Sequence, residues 1–394
     1  MEATRRVARK DKLLTSNYLL VCFSSFGFFA SFHLLLPTLP VYVTENLHGL
    51  ESEVGLIIGV FTITAVVLRP FVGRSIDRRG KKLFLVVGAV VFLLSSVLYN
   101  FTNTVPLLLL LRAFHGVGIA TFTTASTALI ADIAPAERRG EAMGYFGMFS
   151  SVAMAVAPAL GVVLIQAYDF TTLFLTSAVF AAIGVVLSGL VTEHSDPASD
   201  PPQQTRPTLF SRRAFFPAIV IFGFTVTYGA ISSFLPLYAD KQGFENPGLF
   251  FTVFAVTLIF VRIGTGWLSD RFGRATMIVP GLAVAALAMV MLAFSSTMWM
   301  FVVVGVVYGA GFAAVQPTML AFVTDRVEPW ERGAAMGTYT AAFDLGIGLG
   351  SILLGLVLQF TGFGTMFVVA GAICLLGLVY FVAGTFGVVD RITD

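Results

Sequence analysis

Long blocks of apolar residues, separated by short polar breaks, dominate the pattern along the chain. Each of twelve such runs contains about 18 or more mostly apolar residues. A bilayer core about 30 Å thick is crossed by a helix of roughly 20 apolar residues. The pattern therefore predicts an all-α membrane protein with twelve transmembrane helices, at 17–43, 54–76, 82–100, 105–131, 141–168, 171–191, 214–239, 247–268, 275–296, 298–324, 334–360 and 363–388.

One polar stretch is much longer than the other breaks. It falls between the sixth and seventh predicted spans and contains SDPASDPPQQTRP, where Pro and small polar residues cannot form a packed element. We therefore expect two six-helix bundles, at 1–192 and 214–394, joined by a linker at 193–213.

Composition and charge placement support this interpretation. Apolar residues make up 57% of the chain and charged residues only 12%, against about 25% in soluble proteins, which excludes an ordinary soluble enzyme. Of the 24 Lys and Arg residues, only Lys241 lies in a loop on the side opposite the N-terminus, and Arg69, Arg112 and Arg262 lie within spans. The positive-inside rule then predicts that both termini are cytoplasmic.

The two halves of the chain repeat each other. GRSIDRRGK, which begins at Gly73, aligns with GWLSDRFGR, which begins at Gly266, an offset of 193 residues. The same offset aligns Arg69 with Arg262 and Asp132 with Asp325. A repeat of this kind is typical of transporters whose halves are related by an axis along the membrane normal, with a substrate site between them.

These motifs resemble those of the major facilitator superfamily, and the resemblance covers nearly the whole chain. The loop after span two is similar to the family signature GxxxDRxGRK, and RAFHG at Arg112 resembles the family element RxxQG, with His115 in place of Gln. Span five is similar to the motif of drug:proton antiporters in the efflux-permease branch, although three of its glycines are replaced by Ala or Val. The resemblance implies two pseudo-symmetric bundles that work by alternating access. The span-five positions are Gly144, Ala153, Ala157, Pro158, Gly161 and Val162.

The repeated loop is a candidate cytoplasmic gate. Asp77 and Asp270 lie at predicted helix ends beside Arg and Lys, where a carboxylate can cap helix amides and pair with a guanidinium. The resemblance implies that this loop latches one conformation closed. The alternative is that its charges only enforce topology. The predicted gate residues are Gly73, Asp77, Arg78, Gly80, Lys81, Asp270, Arg271, Gly273, Arg69 and Arg262.

Asp344 is the one carboxylate predicted deep inside a span. It lies about three helical turns beyond Arg332, on a stripe of small residues in span eleven. A carboxylate in this position is costly and usually faces a cavity or a partner, and burial favours its neutral form. Proton or cation binding, a structural pair with an Arg, and direct substrate contact are the three roles open to it.

Arg112 and His115 lie three residues apart on span four and therefore share a helix face. The resemblance implies that spans one, four, seven and ten line a central cavity, which would place Arg112, His115 and His33 of span one there. Arg stays charged whereas His can lose its proton, so we predict that Arg112 binds substrate and that His33 and His115 assist binding and proton coupling. The alternatives are a structural tie for Arg112 and a fixed hydrogen bond for His33.

Aromatic and amide side chains complete the predicted cavity. Such groups suit amphipathic compounds, because rings supply apolar contact area while hydroxyl and amide groups supply hydrogen bonds. Packing or lipid contact is the alternative role for each ring. The candidates on spans seven and ten are Tyr228, Phe234, Tyr308 and Gln316.

The sequence thus predicts a proton-coupled exporter of small organic or amphipathic compounds in the bacterial plasma membrane, functioning as a monomer. The alternative is an importer or facilitator of an organic anion or zwitterion. HExxH, GxSxG and metal-spaced Cys or His sets are missing from the sequence, so neither an enzyme nor a metal site is expected. It also has no GxxxxGK[ST] loop, so we expect no cofactor, a proton gradient as energy source, and partners limited to the small-molecule substrate and lipid, without nucleic acid.

Overall fold

The computed structural model is helical over the residues it describes, which are 14–135, 138–193, 211–244, 246–328 and 331–386, without the side chains of Asp77, Arg78, Arg139 and Arg332. Twelve long helices occur in these ranges, each apolar and long enough to cross a membrane, which confirms the predicted number of spans. The helices are α1 (Ser16–Leu35), α2 (Glu51–Arg79), α3 (Lys81–Leu98), α4 (Val105–Ile133), α5 (Arg139–Ala167), α6 (Phe170–Leu190), α7 (Phe215–Lys241), α8 (Gly248–Phe272), α9 (Ala275–Ala293), α10 (Met298–Asp325), α11 (Arg332–Thr361) and α12 (Phe363–Phe386).

The first span is the one that differs most from its predicted helix. Helix α1 ends at Leu35, two residues before Pro37, and the chain continues as a short helical stretch, Leu39–Val41, and a π-helical turn, Tyr42–Asn46. Pro40 lies in the first turn of the short stretch, where its missing N–H has no helical partner to lose. Hydropathy counts this segment as one span because its residues are apolar, although the prolines divide it.

The described residues form two compact units. One contains those within 1–35 and 64–199, and the other those within 36–63 and 200–394. Helix α2 therefore begins in the second unit and ends in the first. The predicted bundles at 1–192 and 214–394 remain predictions, and most of the predicted linker, 194–210, lies outside the described residues.

The first unit is built around α1 and α3. Helix α1 packs against α5 and α6, and α3 packs against α4 and α6. The ring of Phe28 lies between Phe92 and Phe122, with centroid distances of 3.8 and 3.9 Å. The buried hydroxyl groups of Ser31, Ser96 and Ser177 join α1, α3 and α6 through hydrogen bonds of 2.8 and 2.9 Å that converge on Ser177. Such bonds satisfy polar groups where lipid cannot.

The second unit is built around α7 and α9. Helix α7 packs against α11 and α12, α9 packs against α10 and α12, and α8 packs against α10. Helix α7 is the most deeply buried of these helices, since 89% of the residues in its most apolar stretch are buried. Ser233 of α7 shares a hydrogen bond of 2.9 Å with Ser351 of α11. These contacts make the interface between α7 and α11 the main interface of the unit.

Residues 36–63 belong to this second unit because the first half of α2 lies on α11. A Cβ at Gly55 would meet the Cα of Ile352 at 3.0 Å, and one at Gly355 would meet the backbone oxygen of Glu51 at 2.9 Å. A Cβ at Gly348 would meet Thr62 side-chain atoms at 2.6 Å. Small residues on both helices therefore let two backbones come close, as is common in membrane proteins.

Glycines also occupy matching positions where the third and fourth helices of each half meet. In the first unit a Cβ at Gly88 of α3 would lie 2.6 Å from the backbone nitrogen of Phe122. In the second, one at Gly281 of α9 would lie 3.3 Å from the backbone oxygen of Gly311 of α10. Gly88 and Gly281 are related by the 193-residue offset of the repeat.

Candidate functional site

Asp344 lies in the first half of α11, half-buried, one turn before Gly348. The same face of the helix continues through Gly348 and Ser351 to Gly355. Further along, this face lies against Thr62 of α2 and against α7. Asp344 is therefore at the end of the helix face that α2 and α7 cover.

Arg262 of α8 and Gln316 of α10 are hydrogen-bonded to each other. Arg262 Nη2 donates to Gln316 Oε1. The backbone oxygen of Gln316 accepts a hydrogen bond of 3.1 Å from the hydroxyl group of Tyr339, which is buried on α11. Pro317 follows Gln316 inside α10, where it interrupts the helical hydrogen bonds. This cluster links three helices of the second unit around a polar amide.

The predicted aromatic residues of the second unit lie in its core. Tyr308 of α10 shares a hydrogen bond of 3.0 Å with Thr227 of α7, and both are fully buried. Tyr228 packs on Phe312 at a centroid distance of 5.3 Å. Phe234 is also fully buried. In this conformation all three predicted rings therefore serve as packing groups.

Arg112 and His115 lie together in the first unit, as their spacing on α4 predicts. Arg112 is 1% exposed and His115 is fully buried. The hydroxyl group of Tyr99 lies 2.8 Å from His115 Nδ1 and accepts a hydrogen bond of 3.4 Å from Arg112 Nη1. Arg112 Nη1 also lies 3.4 Å from His115 Nδ1, and because a guanidinium group has only donors, Nδ1 is the acceptor in this contact.

His33 is 7% exposed near the end of α1. Its ring lies 4.9 Å from Phe32 and 6.3 Å from Phe29. Phe32 also contacts Phe92, whose ring lies 4.0 Å from that of His115. Aromatic rings thus connect His33 with the cluster of Arg112 and His115.

The loop between α2 and α3 is held by acidic residues from two other segments. Lys81 Nζ pairs with Asp132 at the end of α4. Glu193 accepts hydrogen bonds of 2.8 and 3.0 Å from the backbone nitrogens of Lys81 and Lys82, so its carboxylate caps the first turn of α3. Gly80 has φ of 87°, a conformation that favours glycine.

Gly73 and Arg69 are two further predicted gate residues of the first half. Gly73 has open space where a Cβ would be, and Arg69 is half-buried in α2. The side chains of Asp77 and Arg78 lie outside the described residues, so their predicted latch role stays a prediction.

The matching loop after α8 has a similar arrangement. Arg274 pairs with Asp270, and its Nε donates to Asp325 at the end of α10 over 2.8 Å. The hydrogen bond to Asp325 is the main cause of a raised pKa for the Arg274 guanidinium. Gly273 has φ of 92°. Arg271 instead lies over the exposed ring of Trp267, at 5.3 Å from its centroid, and so points away from the acids.

Sequence reasoning missed two residues of these clusters. Tyr99 follows α3 in a short 3-10 turn, Tyr99–Phe101, and only the packing of α3 against α4 brings its hydroxyl group to Arg112 and His115. Glu193 was assigned to the linker, although an acidic residue directly after a span is the available signal that it caps a neighbouring helix. Within the described ranges, no group of three His, Cys, Asp or Glu side chains could hold a metal ion.

Comparison with known proteins gives consistent matches over most of the chain. The family model of the Major Facilitator Superfamily matches residues 21–263 and 246–391. The staphylopine export protein of Staphylococcus aureus is 24% identical over 346 residues, covering 84% of this chain and 87% of that protein. The multidrug resistance protein MdtG of Proteus mirabilis is 26% identical over 383 residues, covering 92% of this chain and 94% of that protein.

Solved structures share the fold at lower identity. The nucleoside transporter NupG superposes with a TM-score of 0.71 at 18% identity, covering 94% of this chain and 99% of that one. The human organic anion transporter MFSD10 superposes with a TM-score of 0.68 at 17% identity, covering 93% of this chain and 99% of that one. Proteins that carry chemically different substrates thus share this architecture.

Proposed function

Because the chain belongs to the Major Facilitator Superfamily, we propose that it is a secondary active transporter that exports small organic or amphipathic compounds in exchange for protons. Alternating access between its two halves is the proposed mechanism. Relatives named as an export protein and as a multidrug resistance protein support the direction of transport. The observation that carries proton coupling is the half-buried carboxylate of Asp344 inside an apolar helix.

Asp344 suits coupling because it is an ionisable group within a membrane-spanning helix. A carboxylate inside a membrane helix is costly unless it is paired or protonated. A group that is more stable protonated in one conformation and ionised in the other lets a proton gradient shift the balance between them. His33 and His115 are the other proposed proton-coupling groups, with Arg112, His115, His33, Tyr228, Phe234, Tyr308 and Gln316 as proposed cavity residues.

The loops after α2 and α8 are the proposed cytoplasmic gate. The ion pair of Lys81 with Asp132 and that of Arg274 with Asp325 support this role, because each ties the start of one helix to the end of another. Breaking such exposed pairs costs little, about 0–1 kcal/mol each, which suits a contact that must open in every cycle.

The multi-pass fold places the protein in a membrane. We propose the bacterial plasma membrane, with both termini in the cytoplasm and the two halves related by pseudo-symmetry. We also propose that it is not an enzyme, needs no cofactor, and acts as a monomer on a small-molecule substrate.

Proton coupling is tested with purified protein in lipid vesicles and an imposed pH gradient, with ethidium as the amphipathic probe. Asp344→Asn should abolish gradient-driven ethidium accumulation and leave gradient-free exchange intact. Asp240→Asn, which changes an exposed acid at the end of α7, is the matched control and should transport normally. Full gradient-driven transport by Asp344→Asn would reject the proposal.

An importer or facilitator of an organic anion or zwitterion is the second candidate. The buried guanidinium of Arg112 favours it, because a fixed positive charge in a membrane protein can attract an anionic group. Under this function Arg112→Ala should abolish anion binding and uptake. Unchanged uptake by that variant would remove this candidate, and it would leave proton-coupled export untouched.

A further inference from the structure

Arg262 has one used and one unused donor on its guanidinium group. Its Nη2 donates to the side-chain oxygen of Gln316, while its Nε is buried and has no hydrogen-bond partner among the described residues. Donors that are buried without a partner are rare in proteins, and each one calls for an explanation. Here the unused donor belongs to a permanently charged group.

The positions of the two donors identify the missing acceptor. The N–H groups on Nε and Nη2 lie on the same edge of the planar guanidinium and point in the same direction. Their spacing matches the two oxygens of a carboxylate, which can accept from both at once. The amide oxygen of Gln316 is one neutral acceptor and fills half of this edge.

The charge of Arg262 also lacks a local counter-charge. None of the acidic side chains that the structure describes lies within ion-pair distance of Arg262, whereas Arg274, twelve residues further along the chain, pairs with Asp270 and Asp325. The guanidinium lies within a span, and burial of a charge is unfavourable unless it is paired. An incoming anion would supply both the missing acceptor and the missing charge.

Gln316 is placed so that its side chain can yield to such an anion. The hydroxyl group of Tyr339 holds the backbone oxygen of Gln316 at 3.1 Å, so the backbone keeps its position when the side-chain amide turns away. Arg262 and Gln316 are both partly exposed, whereas Tyr339 is 3% exposed. Tyr339 and the backbone of Gln316 thus stay in place, while the side-chain oxygen of Gln316 is the acceptor that an anion can replace.

We propose that the Nε–Nη2 edge of Arg262 binds the carboxylate group of an amphipathic organic anion, and that Gln316 occupies this edge when the substrate is absent. The proposal rests on the transporter function proposed above and narrows its substrate class. Arg271 of the same helix is not part of this site, because its guanidinium lies over the ring of Trp267 at the exposed helix end.

Binding is tested by isothermal titration of the full chain in detergent. The probes are cinnamate and cinnamamide, which have nearly the same shape and differ in charge. Wild type should bind cinnamate more tightly than cinnamamide. Arg262→Gln should weaken cinnamate binding by about ten- to a hundredfold, the usual effect of losing charge-assisted hydrogen bonds, and should leave cinnamamide binding unchanged.

A second variant separates a substrate site from a structural tie. Gln316→Glu places a permanent carboxylate beside Arg262, so it should block cinnamate binding although Arg262 is intact. If the pair only ties α8 to α10, the same change strengthens the tie and leaves cinnamate binding as in wild type. Lys241→Gln is the matched control, because it removes one exposed positive charge at the end of α7 and should bind both probes normally.

Three results would overturn the proposal: equal affinity of wild type for both probes, equal loss of both in Arg262→Gln, or normal cinnamate binding by Gln316→Glu. Counterflow of cinnamate in vesicles separates this proposal from the transporter function. Arg262-dependent binding without counterflow rejects transport and keeps the site. If wild type and Arg262→Gln transport a neutral compound equally well, and wild type shows no preference for cinnamate, the site is rejected and the transporter function is kept.

Discussion

The close contact between the first half of α2 and α11 predicts that one methyl group changes the conformational equilibrium. A Cβ at Gly55 would lie 3.0 Å from both Ile352 Cα and the carbonyl carbon of Ser351, and closer still to the Ser351 carbonyl oxygen. Ordinary contacts of this kind begin at 3.4 Å. All three atoms belong to the backbone, so Gly55→Ala can be accommodated only if the helices move apart by at least about 0.4 Å.

The expected magnitude follows from overpacking. An added methyl group in a well-packed interface costs about 1–3 kcal/mol, which corresponds to roughly a 5- to 150-fold change in an equilibrium constant. Ala is a better helix former than Gly by about 1 kcal/mol, so loss of helix cannot explain a destabilised contact. We therefore expect Gly55→Ala to favour a conformation in which α2 and α11 are separated.

The contact can be measured by the reactivity of one buried thiol. Ser351→Cys introduces it at a fully buried position of α11, in a background in which the two buried native cysteines, Cys22 and Cys374, are replaced by Ser. Alkylation by N-ethylmaleimide in detergent should be slow with Gly55 present and at least fivefold faster with Gly55→Ala. Labelling at the wild-type rate would show that this contact does not control the exposure of α11.

Two further variants make the measurement specific. Gly355→Ala crowds the same interface from the other side, since its Cβ would lie 2.9 Å from the backbone oxygen of Glu51, and it should have the same effect. Gly264→Ala adds a methyl group in α8 where nothing lies within 4 Å, and it should label as slowly as the parent. Faster labelling in Gly264→Ala would attribute the effect to Gly-to-Ala substitution in general.

Three other predictions test the first unit. Glu193→Gln should weaken the cap on α3, because a neutral amide offers only one oxygen to the backbone nitrogens of Lys81 and Lys82. Hydrogen exchange at the start of α3 should therefore increase. Unchanged exchange would contradict the capping role. Hydrogen bonds from Thr172 lower the pKa of Asp169, so this carboxylate stabilises the start of α6 at every pH above its unfolded pKa of about 3.9. Protection of the Thr172 amide from hydrogen exchange should be lost as the pH falls through the lower pKa of the folded state. In Asp169→Ala this protection should not depend on pH. Ser177→Ala should lower the free energy of unfolding in detergent by about 0.6–1.7 kcal/mol, since two hydroxyl groups lose their shared partner, and a smaller loss would show that water replaces it.

Hydropathy was sufficient for the number of helices and for most of their bounds. The fourth span, expected at 105–131, is the helix Val105–Ile133. This success has a simple physical basis, because lipid requires a minimum length of apolar residues and permits little irregular backbone. The segment after Leu35 shows the limit of the method, since proline and the π-helical turn change the backbone without changing its hydropathy.

The contacts of the candidate residues were less accessible to sequence reasoning. Spacing on one helix was enough to place Arg112 beside His115, which lie 3.4 Å apart. Their partner Tyr99 could not be predicted, because its position depends on how the end of α3 packs against α4. Gln316 was predicted as a cavity residue and Arg262 as a gate residue. Their hydrogen bond joins two helices that the sequence does not orient relative to each other.

The differences between the two halves are more informative about function than their similarities. Residues that repeat in both halves make equivalent structural contacts. Lys81 and Arg274, for example, both pair with an acidic residue at the end of the following long helix. Arg112 has Gly305 as its counterpart, where a Cβ would lie 3.2 Å from the backbone oxygen of Phe250, so the second half replaces a polar cluster with close helix packing.

Arg69 and Arg262 are both arginines, yet the residue that corresponds to Gln316 in the first half is Thr123, whose hydroxyl group bonds to the backbone oxygen of Ile119 in its own helix. Thr123 therefore does not take the part that Gln316 has beside Arg262. If Arg262 served only to hold the repeated loop, its neighbours would be expected to repeat as the loop residues do. The change from Thr to Gln at this position instead supplies the exchangeable acceptor that the proposed carboxylate site requires.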